Sequence, residues 1–210
     1  MYDLFDRFVT LWVVIDPIGT IPVFIAVTAS LDASERRKTA LQASLVSIGV
    51  LLFFLVFGQL LIDALEIGLN SFQVAGGIVL FLFALTMIFG ESKSESETRQ
   101  AEESPPAIVP NPAIFPLAVP SLASPGAMLA IVLLTDNSQF GFVDQGLTAL
   151  VMVSVVAIAG VLMLFADPII RVIGHSGSAI ISRVMGMILA SVAANAVLSA
   201  LLDIFETGQL

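Results

Sequence analysis

Cysteine is absent from the chain and histidine occurs only once, as His175. Without thiols the protein has no disulfide, no thiolate nucleophile and no cysteine-ligated metal. A single imidazole also argues against a histidine-ligated metal site. The sequence therefore predicts neither a disulfide-stabilised domain nor a thiol enzyme, and we expect no bound metal or cofactor.

Charged residues are scarce as well. Only 12% of the 210 residues are charged and 58% are hydrophobic, whereas about a quarter of the residues in soluble domains are charged. Several apolar runs approach the ~20 residues that a helix needs to cross a bilayer, and no sizeable soluble domain remains once they are removed. The composition thus predicts an all-α polytopic membrane protein that has the lipid bilayer as its surroundings. The net charge of −9 arises partly in one acidic stretch, and no nucleic-acid partner is expected.

Apolar segments predict six transmembrane helices, of which the first and the fourth are broken by proline and glycine. The predicted spans cover residues 4–30, 40–65, 72–89, 111–135, 146–166 and 178–202. After the third span comes "GESKSESETRQAEESPP", a polar and acidic stretch that cannot bury apolar surface and is therefore a linker. The predicted organisation is a three-helix repeat in residues 1–90, a linker in residues 91–107, and a second three-helix repeat in residues 108–210.

The basic residues predict how the protein is oriented in the cell's inner (plasma) membrane. Cytoplasmic loops carry an excess of Lys and Arg. Of the eight such residues, only Arg7 falls on one side of the six predicted spans. The opposite side holds Arg36, Arg37, Lys38, Lys93, Arg99, Arg171 and Arg183. Both termini are therefore expected outside, and the linker is expected in the cytoplasm.

The two predicted halves resemble each other. "DPIG" at residues 16–19 matches "SPGA" at residues 124–127, which aligns Pro17 with Pro125. "FQVAGGIVLFLFAL" and "SRVMGMILASVAAN", which begin the third span of each half, match at nearly the same offset. Since each half has an odd number of spans, the second half must enter the membrane upside down. The sequence thus predicts an inverted-topology repeat, which many secondary transporters have.

The broken helices predict a binding site for a small zwitterion. Pro17 and Pro22 remove backbone donors, and Gly19 between them permits unusual backbone angles and close approach. The second half repeats the break in "PLAVPSLASPGA". In lipid, each unsatisfied backbone group costs several kcal/mol, so both breaks must face protein or water. Amino-terminal helix ends attract carboxylates and carboxy-terminal ends attract ammonium groups or cations.

Asp16 has two interpretations, which do not exclude each other. It is an N-cap for a half-helix that restarts at Pro17, or it binds a substrate ammonium, a coupling proton or a cation. The second interpretation rests on the rule that a carboxylate inside a span is a functional candidate. The equivalent position of the second half is Ser124, so only one half carries the charge.

Three further polar residues inside the spans are candidates for polar support or ion coupling. Gln73 is expected to satisfy backbone groups freed by a break, with substrate contact as the alternative. Arg183 is expected to extend to the cytoplasmic interface, with a salt bridge to Asp16 or Asp167 as the alternative. Asn195 is expected to join two helices by a hydrogen bond.

The segments "DPIGTIPVF", "AGGIVLFLFAL" and "PLAVPSLASPGA", in this order and with a charged linker before the third, resemble the MarC family. This family of bacterial and archaeal inner-membrane proteins is also called the neutral amino acid transporter (NAAT) family. Its members commonly have "NPIGNIP" where this chain has "DPIGTIP", and "GPGA" where it has "SPGA". The resemblance implies two inverted three-helix halves. For members with an assigned activity, it implies transport of small neutral amino acids such as glycine, alanine or serine.

The leading hypothesis is a secondary transporter of small neutral amino acids that works by alternating access. Its expected substrate-binding residues lie at the two breaks: Asp16, Pro17, Gly19, Thr20, Pro22, Ser121, Ser124, Pro125 and Gly126. The alternative is a channel, facilitator or exporter for another small polar solute. An enzyme is not expected, because the spans hold no Ser–Lys or paired-Asp arrangement. Proton and sodium coupling, uptake and export, and the oligomeric state all remain open.

Overall fold

The structure is a computed structural model that describes residues 4–64, 68–89, 111–136 and 140–207. The predicted linker at residues 91–107, with Lys93 and Arg99, lies outside the described residues, and so does the side chain of His175. All regular elements of the described residues are helices. They are α1 (Leu4–Ile15), α2 (Thr20–Val27), α3 (Ala33–Ala64), α4 (Leu69–Phe89), α5 (Ala113–Leu122), α6 (Pro125–Leu134), α7 (Phe142–Leu164) and α8 (Ala166–Thr207).

These helices confirm the predicted class of an all-α polytopic membrane protein. Five segments are long and apolar enough to cross a membrane, and the first of them combines α1 with α2. Helices α5 and α6, which meet at a bend of 52°, make a sixth crossing when the pair is counted as one span. The first and fourth spans are therefore the broken ones, as predicted.

Helix α3 begins at Ala33, seven residues before the predicted start at residue 40. The added turns are polar, so hydropathy does not reveal them. They are fixed by a capping box: Asp32 Oδ1 accepts hydrogen bonds from the amides of Ser34 and Glu35, both at 2.8 Å, and the Glu35 carboxylate accepts one from the Asp32 amide.

Two ion pairs identify which helices begin at the same end of the bundle. Arg7 in α1 pairs with Asp144 in the first turn of α7, at what we call the N-terminal end. Arg36 in α3 pairs with Asp167 in the first turn of α8, at the opposite end, which we call the linker end. Helix α8 is helical throughout except at Gly174, where φ is +71°.

Helices α4 and α8 pack along each other as a pair, while the remaining six helices pack mainly among themselves as a core. The pair is antiparallel and is brought close by glycines. A Cβ on Gly77 would lie 2.5 Å from a Val197 methyl group, and a Cβ on Gly186 would lie 2.8 Å from Met87 Cβ. Under the predicted alignment of the halves, exchanging them moves the first contact to within one residue of the second; the inverted repeat itself stays a prediction.

Candidate functional site at the paired helix breaks

The first break is centred on Asp16, between the end of α1 and the start of α2. Asp16 has a φ of +50°, in the left-handed region that Asp and Asn tolerate better than most residues. Its Oδ1 accepts a hydrogen bond from the Gly19 amide at 3.0 Å, as a capping side chain does. The cap interaction is therefore present, but α2 begins at Thr20 rather than at the predicted Pro17.

Glycine is required at position 19 because the Asp16 carboxylate lies against it. A Cβ on Gly19 would lie 2.1 Å from Asp16 Oδ2 and 2.9 Å from Ser182 Oγ. The Ser182 hydroxyl lies 3.4 Å from Asp16 Oδ2, so it joins the first break to α8 by a long hydrogen bond. Asp16 is only 2% exposed, and among the described residues it has no Lys or Arg within ion-pairing distance.

The second break owes its shape to the prolines of α5 and to the cap of α6. Residues before proline are pushed out of the helical region, and Phe115 and Val119 are extended, with φ of −125° and −131°. Helix α6 then begins with Pro125 in its first turn. Its N-cap is Ser124, which accepts a hydrogen bond from the Ala127 amide at 3.0 Å.

The two breaks contact each other in the interior. The Ser124 hydroxyl donates to the carbonyl oxygen of Val14, in the last turn of α1, at 3.2 Å. Thr20 Oγ1 lies 3.0 Å from Ser121 Oγ and 3.2 Å from the Asp16 carbonyl oxygen. Because a hydroxyl has one hydrogen, Ser121 must donate when Thr20 gives its own to Asp16. The side chains of these residues are at most 2% exposed, so both breaks face protein, as expected.

The remaining predicted binding residues fall into two groups. Pro17, Pro22 and Gly126 are buried beside these hydrogen bonds, whereas Pro125 is exposed. A Cβ on Gly126 would lie 3.1 Å from a Leu80 methyl group, so glycine at this position lets α6 approach α4.

A cavity of about 410 Å³ lies between the α4–α8 pair and helices α1 and α6 of the core. We call it the outer cavity, because Asp6 near the start of α1 and Asp136 beyond the end of α6 place it towards the N-terminal end. Leu80 both lines this cavity and lies against Gly126, so the cavity is close to the second break. None of the predicted break residues is part of its lining.

Gln73 and Asn195 line the outer cavity, and their contacts differ from those predicted. Gln73 Nε2 donates to the Ala196 carbonyl oxygen in α8 at 3.3 Å, not to backbone at a break. Asn195, which lines the cavity, makes no side-chain hydrogen bond with another described residue, so the predicted link between helices is not seen.

Arg7 is a buried charged residue whose contacts sequence reasoning missed. It is 1% exposed, pairs with Asp144 at 2.8 Å, donates to Thr148 Oγ1 at 2.7 Å and lies 5.0 Å from the centre of the Phe140 ring. The sequence could have indicated this ion pair, because Arg7 stands within an apolar span and an arginine buried there needs a partner.

Asp167 pairs with Arg36 and not with Arg183, which is exposed and makes no ion pair among the described residues. The Arg36 guanidinium contacts both carboxylate oxygens, at 2.9 and 3.0 Å. The hydrogen bond from Arg36, together with the charges of Arg36 and Arg171, outweighs slight burial and lowers the pKa of Asp167. The alternative ion pairs considered for Arg183 are therefore wrong.

Comparisons with known proteins agree with this architecture. The model of the MarC family of integral membrane proteins matches residues 1–205. A UPF0056 membrane protein of Archaeoglobus fulgidus is 34% identical over 95% of this chain and 92% of its own length. UPF0056 membrane protein YhcE of Escherichia coli is 30% identical over 96% and 93%, respectively. No solved structure matches the chain. The sequence, with its paired helix breaks, belongs to the MarC family of integral membrane proteins.

Proposed function

We propose that the chain is a secondary transporter of small neutral amino acids that works by alternating access around its two broken helices. The observation that carries the proposal is the position of the Ser124 hydroxyl, which donates to the Val14 carbonyl and accepts from the Ala127 amide. A zwitterionic amino acid offers the same two functions, with an ammonium donor and a carboxylate acceptor. A solute that displaces this hydroxyl would satisfy the end of α1 and the start of α6 together.

Burial of the breaks favours a carrier over a channel. A channel needs a continuous aqueous path, whereas Asp16, Thr20, Ser121 and Ser124 are each at most 2% exposed. These side chains fill the space between the two broken helices. A solute therefore passes only when the helices move, as in alternating access.

The α4–α8 pair is the element that we expect to move against the core. Its contacts with the breaks have a glycine on the core side, with Gly19 facing Ser182 and Gly126 facing Leu80, and they include no ion pair. The Arg36–Asp167 ion pair, which joins α3 to the first turn of α8, lies before the non-helical residue Gly174. Rocking of the pair would close the outer cavity and open a path between the breaks and the linker end.

The linker end is proposed to be cytoplasmic. Among the described residues, Arg36, Arg37, Lys38 and Arg171 lie at or beside this end, and positive charge is retained in the cytoplasm. A periplasm-active reporter fused after residue 210 should therefore be active, and activity of a cytoplasmic reporter there instead would reverse the orientation.

Counterflow in liposomes tests the transport activity. Liposomes that hold the purified chain and are preloaded with unlabelled alanine should take up external labelled alanine faster than the same liposomes without internal alanine. A channel would show no such stimulation. The Ser154→Ala variant is a matched control, because the Ser154 hydroxyl only donates to Leu150 of its own helix. If no neutral amino acid exchanges under either a pH or a sodium gradient, the proposed function is wrong.

A further inference from the structure

The polar groups that line the outer cavity are acidic or uncharged. Among the described residues that line it, the polar ones are two carboxylic acids, two carboxamides and two hydroxyls: Asp6, Asp136, Gln73, Asn195, Thr10 and Ser191. Within this described lining there is no Lys, Arg or His. The cavity volume is within the range of small-molecule sites, which is about 300–1,000 Å³. Such a lining attracts cationic groups and repels simple anions.

Asn195 is the least satisfied of these groups. Its side chain makes no hydrogen bond with another described residue, although it lies about 16 Å along the helix from Glu206, at 1.5 Å per residue. At that depth a carboxamide facing hydrocarbon would cost several kcal/mol. The side chain therefore requires water or a bound solute as its partner.

Other groups at this level are also available to a solute. Gln73 uses one amide hydrogen on the Ala196 carbonyl, which leaves a second hydrogen and its oxygen. Thr10 makes no side-chain hydrogen bond with another described residue. Donors thus lie deep in the cavity, whereas Asp6 and Asp136 lie towards its N-terminal end.

We propose that the outer cavity is a binding site for a zwitterionic solute, separate from the helix breaks. The carboxylate of the solute accepts hydrogen bonds from Asn195 and Gln73, and its ammonium faces Asp6 and Asp136. Leu80 lines this site and lies against Gly126, and none of the break residues lines it, so a solute bound here would lie beside the closed breaks and not between them. The solute class rests on the proposed function, whereas the location rests on the cavity itself.

Thiol labelling tests the site in the full chain, because the natural protein has no cysteine. The Val192→Cys variant keeps Asn195, Gln73 and both carboxylates, because Val192 lines the cavity with an apolar side chain, and it should fold. It would be treated with a cationic and an anionic methanethiosulfonate reagent, with each rate divided by the reagent's rate towards free 2-mercaptoethanol. The matched control is Leu198→Cys, because Leu198 is on the same helix, is 61% exposed and does not line the cavity.

We expect the cationic reagent to modify the cysteine at position 192 about tenfold faster than the anionic one, since acidic clefts concentrate cations. The control should react with neither, because a thiol in lipid does not ionise. Glycine or alanine should slow the labelling at position 192, because all the proposed ligands are intact in this variant.

Three results would overturn the inference: labelling at position 192 no faster than in the control, preference for the anionic reagent, or labelling that no solute slows. Protection by ethanolamine or another ammonium compound, but not by glycine or alanine, has a different meaning. It would support the location of the site and contradict the amino-acid substrate of the proposed function.

Discussion

Three substitutions at Asp16 separate the roles of its backbone angle, its hydrogen bond and its charge. Asp16→Asn keeps a side-chain oxygen for the Gly19 amide and tolerates a φ of +50°. Asp16→Gly keeps the backbone angle but loses the hydrogen bond. Asp16→Ala loses the hydrogen bond and places an unsuited residue in the left-handed region.

The expected changes in the free energy of unfolding follow from these losses. A lost cap costs about 0.5–2 kcal/mol, and the left-handed conformation costs an ordinary residue about 1–2 kcal/mol. Asp16→Ala should therefore be the least stable, Asp16→Gly intermediate, and Asp16→Asn no less stable than the natural protein. The Asn variant also removes a buried charge that has no cationic partner among the described residues.

Fluorescence of Trp12 offers a local assay of this ranking. Trp12 is the only tryptophan, and its carbonyl oxygen accepts the Asp16 amide at 3.0 Å. Thermal unfolding in detergent should show a fall in Tm of about 3–16 °C for Asp16→Ala, at about 2–4 °C per kcal/mol for a chain of this size. If Asp16→Asn loses as much stability as Asp16→Ala, then the charge holds the break together and the backbone explanation is refuted.

Three further predictions concern the packing around the site. Ser124→Ala removes the cap of α6 and leaves the buried Val14 carbonyl unsatisfied, so the free energy of unfolding should fall by about 2–4 kcal/mol in thermal unfolding. A fall of less than about 0.5 kcal/mol would contradict the contact between the breaks. Gly77→Leu should prevent folding, as judged by gel filtration, because the new side chain would meet the α8 backbone. Gly49→Leu should be tolerated, because nothing lies within 4 Å of a Cβ at that position. Equal behaviour of the two variants would refute the close packing of α4 and α8. The lowered pKa of Asp167 means that its ion pair stabilises the fold above the ordinary value of 3.8 and loses this effect as the pH falls below it. The difference in Tm between the natural protein and Arg36→Gln should thus be constant from pH 5 to 8 and shrink below about pH 4, and a difference that changes between pH 5 and 8 would contradict this assignment.

Features that depend on local backbone chemistry were predictable from the sequence. Proline removes a donor wherever it stands, so breaks in the first and fourth spans follow from Pro17 and Pro125 without knowledge of neighbouring helices. The early start of α3 was missed for an opposite reason, because hydropathy does not register a polar capping box such as Asp32 with Glu35.

Contacts between distant parts of the chain were not predictable. Arg7 and Asp144 are 137 residues apart, and both are compatible with solvated span ends until α1 and α7 are placed side by side. The outer cavity depends on four helices at once, so the position of Asn195 at its surface has no sequence signature. A polar residue in a span indicates that some partner exists but not which one.

The first break also explains why this chain can differ from the common family pattern at position 16. Asn and Asp both tolerate the left-handed conformation, and both offer an oxygen to the Gly19 amide. The fold therefore needs the side-chain oxygen but not the negative charge. Asp16→Asn should fold normally, so any change in the ion dependence of transport can be assigned to the charge itself. If exchange and its response to pH and sodium gradients are unchanged in this variant, Asp16 is a structural residue, and the coupling ion must bind elsewhere.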